Sequence, residues 1–319
     1  MKLVFCGTPR FAVPTLEALR AAGHEVALVV SQPDRPVGRA QQFTAPPVKQ
    51  TALAAGIPVA QPETIRANAE FRAQLEAIAP DAIVVVAYGR IIPAWMLALP
   101  RFGCINLHAS LLPKYRGAAP IQWAVAMGDA VTGNSTMLLE EGLDTGPILL
   151  QQSLAITQEQ TAADLFEVLA QAGAPLVTET LAGLADESIC PQLQDHSQAS
   201  LAPLLTREDG RMDFSRPATE SMNRWRGFQP WPGAFTSLDG KKLIVHRLEV
   251  ADASSFAAPV SAQPGQIHME NHRMIAACAQ NTWLELLEIQ LEGKKRLAVA
   301  DFLRGTALSG GARLGSETR

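Results

Sequence analysis

Asp81-Ala82-Ile83-Val84-Val85-Val86-Ala87, followed after a short interval by Phe102-Gly103-Cys104-Ile105-Asn106-Leu107-His108, decides the fold of this chain. The first run is apolar without alternation, as in a strand buried on both faces of a parallel sheet. Upstream of it, strand and helix patterns take turns. Residues 2–6 read as a strand and 14–22 as a helix, with Pro14 near its start and Gly23 just past its end. Residues 25–31 read as a strand, 48–55 as a helix ending at Gly56, 58–61 as a short strand and 67–78 as a helix. Strands alternating with helices predict an α/β, doubly wound, Rossmann-like domain. Ligands of such domains bind beyond the carboxyl ends of the strands.

The second run ends at such a place. Side chains alternate along a strand, so Asn106, His108 and Ser110 emerge together while Ile105, Leu107 and Ala109 face the other way. An imidazole beside a carboxamide can protonate one atom and hydrogen-bond an oxyanion. After a further apolar strand, Gly142-Leu143-Asp144-Thr145-Gly146 offers one carboxylate held between two glycines. A carboxylate next to a histidine orients the ring and raises its basicity. Alone, His108 would read as a core histidine and Asn106 as a turn former; three polar groups at apolar strand ends favour catalysis. Gly7-Thr8-Pro9 lies where a dinucleotide loop would be but lacks G-x-G-x-x-G, which argues against a nicotinamide dehydrogenase.

Further along, residues 119–127 look helical, and 135–140 and 148–152 look like strands. Residues 161–184 fit a long amphipathic helix interrupted at Gly173-Ala174-Pro175. The polar, irregular stretch 185–202 reads as a linker. Residues 218–226 look helical, and from Ala234 onward short strands separated by Asp239-Gly240, Pro264-Gly265 and Glu292-Gly293 suggest a small β-barrel. The expected organisation is a catalytic domain over 1–189, a linker over 190–206 and a barrel domain over 207–319.

With 319 residues the chain is long enough for two cores, and no apolar run approaches the ~20 residues a membrane span needs. Met1-Lys2-Leu3-Val4-Phe5-Cys6-Gly7 is too short an apolar stretch for a signal peptide and reads as a first strand. Cys6, Cys104, Cys190 and Cys278 lie far apart without a C-x-x-C pair. Neither a zinc site nor a disulfide framework is expected, and a reducing cytoplasm fits. Net charge is −4, but unevenly spread. Residues 1–116 carry 12 Lys/Arg against 7 Asp/Glu, 117–206 carry 11 acids and no base, and 207–319 carry 15 bases against 13 acids. A polyanion can approach the flanking parts and is repelled by the middle. The same pattern also describes a solvated acidic helix face.

The connection 31–49 is long for a strand-to-helix turn and holds Arg35, Arg39, Lys49 and four prolines. It is either a solvated loop or an arm reaching nucleic acid. In Gln229-Pro230-Trp231-Pro232-Gly233-Ala234, Trp231 either stacks on a base or packs beneath a rigid turn, and the prolines favour packing. Arg224, Arg226, Lys241, Lys242 and Arg247 make the neighbourhood basic, so some can reach phosphates.

These motifs together resemble the methionyl-tRNA formyltransferase family. The resemblance runs from Phe5-Cys6-Gly7-Thr8-Pro9 to Asp301-Phe302-Leu303-Arg304-Gly305. Asn106-x-His108, Ser110-Leu111-Leu112-Pro113 and Leu143-Asp144-Thr145-Gly146 are shared by folate-dependent formyltransferases at large. Gln32-Pro33-Asp34-Arg35-Pro36 and Pro230-Trp231-Pro232-Gly233-Ala234 narrow the choice. The resemblance implies a barrel of the oligonucleotide-binding (OB-like) type and formyl transfer from 10-formyltetrahydrofolate to initiator methionyl-tRNA. It implies that Asn106 and His108 act on the formyl oxygen or the leaving nitrogen, and that Asp144 holds His108 and takes up the amine proton. Ser110, Leu111, Leu112 and Pro113 would form a wall of the folate pocket, and Arg35 and Arg39 would reach tRNA. The formyl donor is already activated, so no metal is needed. No membrane association is expected, and the chain is expected to be a monomer. The family usually has lysines where this chain has Gln41-Gln42, which implies a weaker electrostatic arm. A 10-formyltetrahydrofolate hydrolase, a formyltransferase for an amino-sugar nucleotide or glycinamide ribonucleotide, and a non-catalytic RNA-binding protein are the alternatives.

Overall fold

A computed structural model of the chain describes residues 1–37, 42–259, 261–306, 308 and 311–315. Arg39 and Gln41 lie outside the described residues. The chain divides into two compact units: Met1–Ile121, Ala130–Ile156 and Asp164–Pro203 form the first; Gln122–Asp129, Thr157–Ala163 and Leu204–Arg319 form the second.

The first unit opens with β1 (Lys2–Gly7), α1 (Val13–Ala21) and β2 (Glu25–Val30). A hairpin of β3 (Arg35–Val37) and β4 (Gln42–Thr44) precedes α2 (Pro47–Ala54) and β5 (Val59–Ala60). Then come α3 (Ala69–Ile78), β6 (Ala82–Val86), α4 (Ala94–Leu97), β7 (Cys104–His108) and β8 (Arg116–Gly117). Helix α5 (Pro120–Ala126), which from Gln122 onward belongs to the second unit, leads to β9 (Val131–Leu138), β10 (Ile148–Ala155), α6 (Ala162–Ala185) and β11 (Leu201–Ala202).

Seven strands form the sheet in the order β10-β9-β7-β6-β1-β2-β5. Strands β5, β2, β1, β6 and β7 run parallel, and β9 and β10 are antiparallel additions. From β1 the chain builds outward to β2 and β5, then returns to add β6 and β7 on the other side. The order therefore reverses between β1 and β6, which is where doubly wound sheets place their clefts. All five residues of β6 are buried, as its unbroken apolar run requires. Val4, Cys6, Ile83 and Val85 face Phe71 and Leu75 of α3.

Two expectations change here. Helix α6 is continuous through Pro175. Gly173 is a packing device and not a break: a Cβ there would stand 2.6 Å from Leu107 Cδ2. Pro175 removes one rung of the helix ladder, whose acceptor is the carbonyl of Gln171; both residues are exposed, so the lost rung lies on the solvent side of the helix. By length and composition α6 is apolar enough to cross a membrane, but half of its most apolar window is buried, in the manner of a core helix. The stretch 190–206, expected to be a linker, belongs to the first unit as far as Pro203. Ile148 and Gln192 exchange two backbone hydrogen bonds of 2.8 Å, and β11 pairs in parallel with β8. Its polar composition reflects backbone and side-chain pairing that composition alone does not reveal.

The second unit contains α7 (Ala218–Gly227), β12 (Phe235–Leu238), β13 (Lys241–Ala251), β14 (Ile267–Glu270), β15 (Arg273–Ala277), β16 (Trp283–Leu291), β17 (Leu297–Ala298) and α8 (Val299–Gly305). The antiparallel order is β12-β13-β16-β15-β14, with β17 also on β16. Bridges Leu238–Leu314 and Gln266–Arg313 join the two ends of this sheet through one segment, closing the predicted small barrel. Leu243, Val245, Leu248, Met274, Leu284 and Leu286 fill its core.

Candidate active site

Strand β7 carries Asn106 and His108 to the carboxyl edge of the first sheet, one strand away from β6. In the ladder Asn106 stands opposite Val85 of β6 and Met137 of β9, and His108 opposite Ser135 of β9. Both are nearly buried, at 8% and 6% exposure, and so retain only a narrow opening to solvent. Leu107, between them, points to the other face and packs over Gly173.

Two loops complete the site. His108 Nε2 lies 2.8 Å from the carbonyl oxygen of Tyr115. A carbonyl only accepts, so Nε2 carries the hydrogen and Nδ1 is the nitrogen left open. Asp144 Oδ2 lies 3.7 Å from Nδ1, within ion-pair range but beyond a direct hydrogen bond. The same Oδ2 accepts a 2.8 Å hydrogen bond from the Gly117 N–H. The Asn106 carboxamide bonds to no protein group among the described residues and keeps its donors for a ligand. The sequence suggests that Asp144 holds the ring; in the structure the backbone of Tyr115 does so, and Asp144 faces the open nitrogen. Tyr115 and Asp144 sit at φ of 60° and 50°, left-handed backbone that costs a side-chain-bearing residue about 1–2 kcal/mol.

Of the four residues expected along a folate wall, two are turned inward. Ser110 is fully buried, its hydroxyl donating to the Lys114 carbonyl at 2.6 Å. Leu112 is buried as well, and its N–H donates to the Ser135 hydroxyl at 3.0 Å. Leu111 and Pro113 remain half-buried and present apolar surface. At the start of β7, burial pushes the Cys104 thiol up to about 12, which removes it as a nucleophile.

The connection 31–49 forms a hairpin, with Arg35 opposite Thr44 and Pro36 opposite Phe43. Arg35 is exposed on β3. A clasp closes the hairpin's base: Lys49 Nζ donates to both Asp34 oxygens at 2.8 Å and to Gln61 Oε1 at 2.7 Å. These bonds from Lys49, then Gln61, hold the Asp34 carboxyl below its ordinary value.

In the second unit, Trp231 is 52% exposed. The expectation that it packs beneath its turn fails: the turn closes on its own backbone, Gly233 N–H donating to the Phe228 carbonyl at 2.9 Å, and the indole stands half in solvent. Arg226 is 5% exposed and bonds to the carbonyls of Thr157 and Gln160, so it serves the fold and not a phosphate. Lys241, Lys242 and Arg247 stand exposed on β13. The sequence did not single out the Tyr115 carbonyl and the Gly117 N–H, because backbone atoms leave no compositional signal. Gln194, buried beside the Asp144 loop, lay in the stretch expected to be a linker.

The family model described as formyl transferase matches residues 1–181, and that described as formyl transferase, C-terminal domain, matches residues 204–307. The methionyl-tRNA formyltransferase of Acidobacterium capsulatum is 65% identical over 99% of this chain and 100% of its own length. That of Koribacter versatilis is 55% identical over 99% of each. A solved N-formyltransferase from Helicobacter canadensis, in complex with folinic acid and dTDP-3-aminofucose, is 17% identical. It superposes with a TM-score of 0.64 over 90% of this chain and 98% of its own, a likeness of fold. The matched domains and the full-length identity place this chain in the methionyl-tRNA formyltransferase family.

Proposed function

We propose that the chain transfers the formyl group of 10-formyltetrahydrofolate to the α-amino group of methionine on initiator methionyl-tRNA, with Asn106, His108 and Asp144 as its catalytic residues. The observation that carries this reading is their juxtaposition: a carboxamide with no protein partner among the described residues, an imidazole with one open nitrogen, and a carboxylate 3.7 Å from that nitrogen. The half-buried Leu111 and Pro113 beside them suit the flat ring of a folate.

The bound donor supplies an activated formyl carbon attached to a nitrogen leaving group. Asn106 donates from Nδ2 to the formyl oxygen as negative charge grows there. His108, held at Nε2 by Tyr115, works through Nδ1: in its protonated form it donates to that oxygen or to the departing nitrogen. Asp144 stabilises the imidazolium and accepts the proton that the attacking amine sheds. The bond from the amine nitrogen to the formyl carbon forms, the bond from N10 to that carbon breaks, and one proton passes from amine to N10. No residue is acylated. The exposed Arg35 of the hairpin approaches the tRNA, and the barrel over 207–319, with Lys241, Lys242 and Arg247 exposed, contributes further phosphate contacts. The enzyme so described works in the cytoplasm, alongside translation.

A transfer assay with 10-formyltetrahydrofolate tests this. Formylation of charged initiator tRNA, with charged elongator tRNA as a poor acceptor, is the expected result. Formate release without an amine acceptor would instead identify a hydrolase. Transfer to an amino-sugar nucleotide but not to tRNA would identify the sugar branch, and tRNA binding without turnover a binding protein.

A further inference from the structure

Gln194 lies in the stretch whose composition suggests a linker, yet it is 6% exposed and makes four hydrogen bonds. Its Oε1 accepts from Arg116 Nε at 3.1 Å and from Arg116 Nη2 at 2.7 Å. Its Nε2 donates to the Asp144 carbonyl at 2.8 Å and to the Gly146 carbonyl at 2.7 Å. The orientation of this amide is forced by its partners. A guanidinium only donates, so oxygen must face Arg116; carbonyls only accept, so nitrogen must face the loop.

The four partners belong to the two loops that build the site. Arg116 lies between Tyr115, whose carbonyl fixes His108, and Gly117, whose N–H holds the Asp144 carboxylate. Asp144 and Gly146 belong to the loop that carries the carboxylate itself. Flanking Gln194, the backbone is pinned at both ends: Gln192 pairs with Ile148, and Ser200 accepts from the Arg116 N–H at 2.8 Å. Arg116 is 7% exposed; its guanidinium meets the Gln194 oxygen and His196 Nδ1, at 3.1 Å for the latter. A charged donor makes the bonds to Gln194 stronger than neutral ones and holds the amide in place. The Asp144 carbonyl is also where support is most needed, because that residue sits at φ 50°.

We propose that Gln194 is a positioning residue for formyl transfer: braced by Arg116, it ties the Asp144 loop to the His108-holding loop and so sets the distance between carboxylate and imidazole. The proposal rests on the catalytic role of Asp144 given above.

The test is a double-mutant cycle on formylation of charged initiator tRNA. Gln194→Ala should lower kcat on the order of 10-fold, since a small misplacement of a reacting group is enough for that. The KM for 10-formyltetrahydrofolate should stay close to that of the unmodified enzyme, and the pH–rate profile should change. Gln194→Glu, similar in shape and able to face Arg116, loses the donors to both carbonyls and should also be slow. Gln194→Met keeps the side-chain length and carries the same test if the alanine variant melts early. In an Asp144→Asn background, Gln194→Ala should cost little more, because the group it positions has already been disabled. Gln198→Ala, at an exposed neighbour, should be silent. If Asp144→Asn is slow while Gln194→Ala is fully active, or if the two losses multiply, Gln194 does not act through Asp144 and the proposal is overturned. If Asp144→Asn is itself fully active, the catalytic assignment of Asp144 falls first, and the proposal with it.

Discussion

Replacing Asp144 by Asn separates charge from shape at the centre of the site. The Asn oxygen can still accept from the Gly117 N–H, which Asp144 now binds at 2.8 Å, so the loop should keep its form. What is lost is a negative charge 3.7 Å from His108 Nδ1. For a carboxylate and an imidazolium at that separation, an effective dielectric of about 20 gives roughly 4 kcal/mol. Both side chains are largely shielded, at 7% and 14% exposure, yet the cleft admits some solvent, so about half of that value is a fair expectation. A loss of about 2 kcal/mol corresponds to a fall in kcat of roughly 30-fold, and the full figure to about 1,000-fold. The interaction matters only when the ring is charged, so kcat should fall while the KM for the folate donor hardly moves. Steady-state formylation of charged initiator tRNA across pH, with thermal melting as a control for folding, measures this. A variant with kcat within about 3-fold of the unmodified enzyme and a superimposable pH–rate curve would refute the role given to the carboxylate.

Asn106→Ala and His108→Ala should each lower kcat by at least about 100-fold, the scale of a lost oxyanion or acid–base group, and near-normal turnover in either would remove it from the mechanism. Arg35→Ala should weaken tRNA binding and make log K less steep against log salt by roughly 0.7–0.9, while Glu179→Lys on the acidic helix should not weaken it; a titration at several salt concentrations decides. Gly173→Ala gains up to about 1 kcal/mol of helix propensity but drives a methyl to 2.6 Å from Leu107, at an overpacking cost of about 1–3 kcal/mol. Net destabilisation with a slower kcat is expected, because Leu107 lies between Asn106 and His108; a melting temperature above that of the unmodified protein would show that the helix yields without strain.

The parallel sheet was legible because its signals are local. The apolar run through β6, the alternation that throws Asn106 and His108 to one side, and the glycines after α1 and α2 each act within a few residues. Asp144 was legible as a carboxylate framed by glycines, but its partners were not. The atoms that hold it and His108, the Gly117 N–H and the Tyr115 carbonyl, are present in every peptide bond, and only the path of the chain makes these two special. The stretch after α6 misled for a related reason. Polar residues without periodicity describe both a solvated linker and a segment bonded into a fold, and the Gln192 backbone, the Gln194 side chain and Ser200 are of the second kind. Trp231 misled through its prolines, which stiffen a turn without specifying on which side the indole lies.

The tautomer of His108 ties these observations together. If a donor faced Nε2, that nitrogen would carry the lone pair and Nδ1 would carry the hydrogen, pointing at Asp144. The carboxylate would then be engaged by the ring before any substrate arrived. With the Tyr115 carbonyl at 2.8 Å the hydrogen stays on Nε2, and Nδ1 faces Asp144 across 3.7 Å as a second acceptor. Two acceptors facing one another at that distance create a place for a proton or a proton-bearing group, which in the proposed mechanism the attacking amine brings. The left-handed backbone at Tyr115 and Asp144 is therefore strain with a use: it turns one carbonyl toward the ring and one carboxylate toward the gap. Gly117 and Gln194 matter for the same reason, since the gap works only while the carboxylate is held from behind and cannot close on the imidazole.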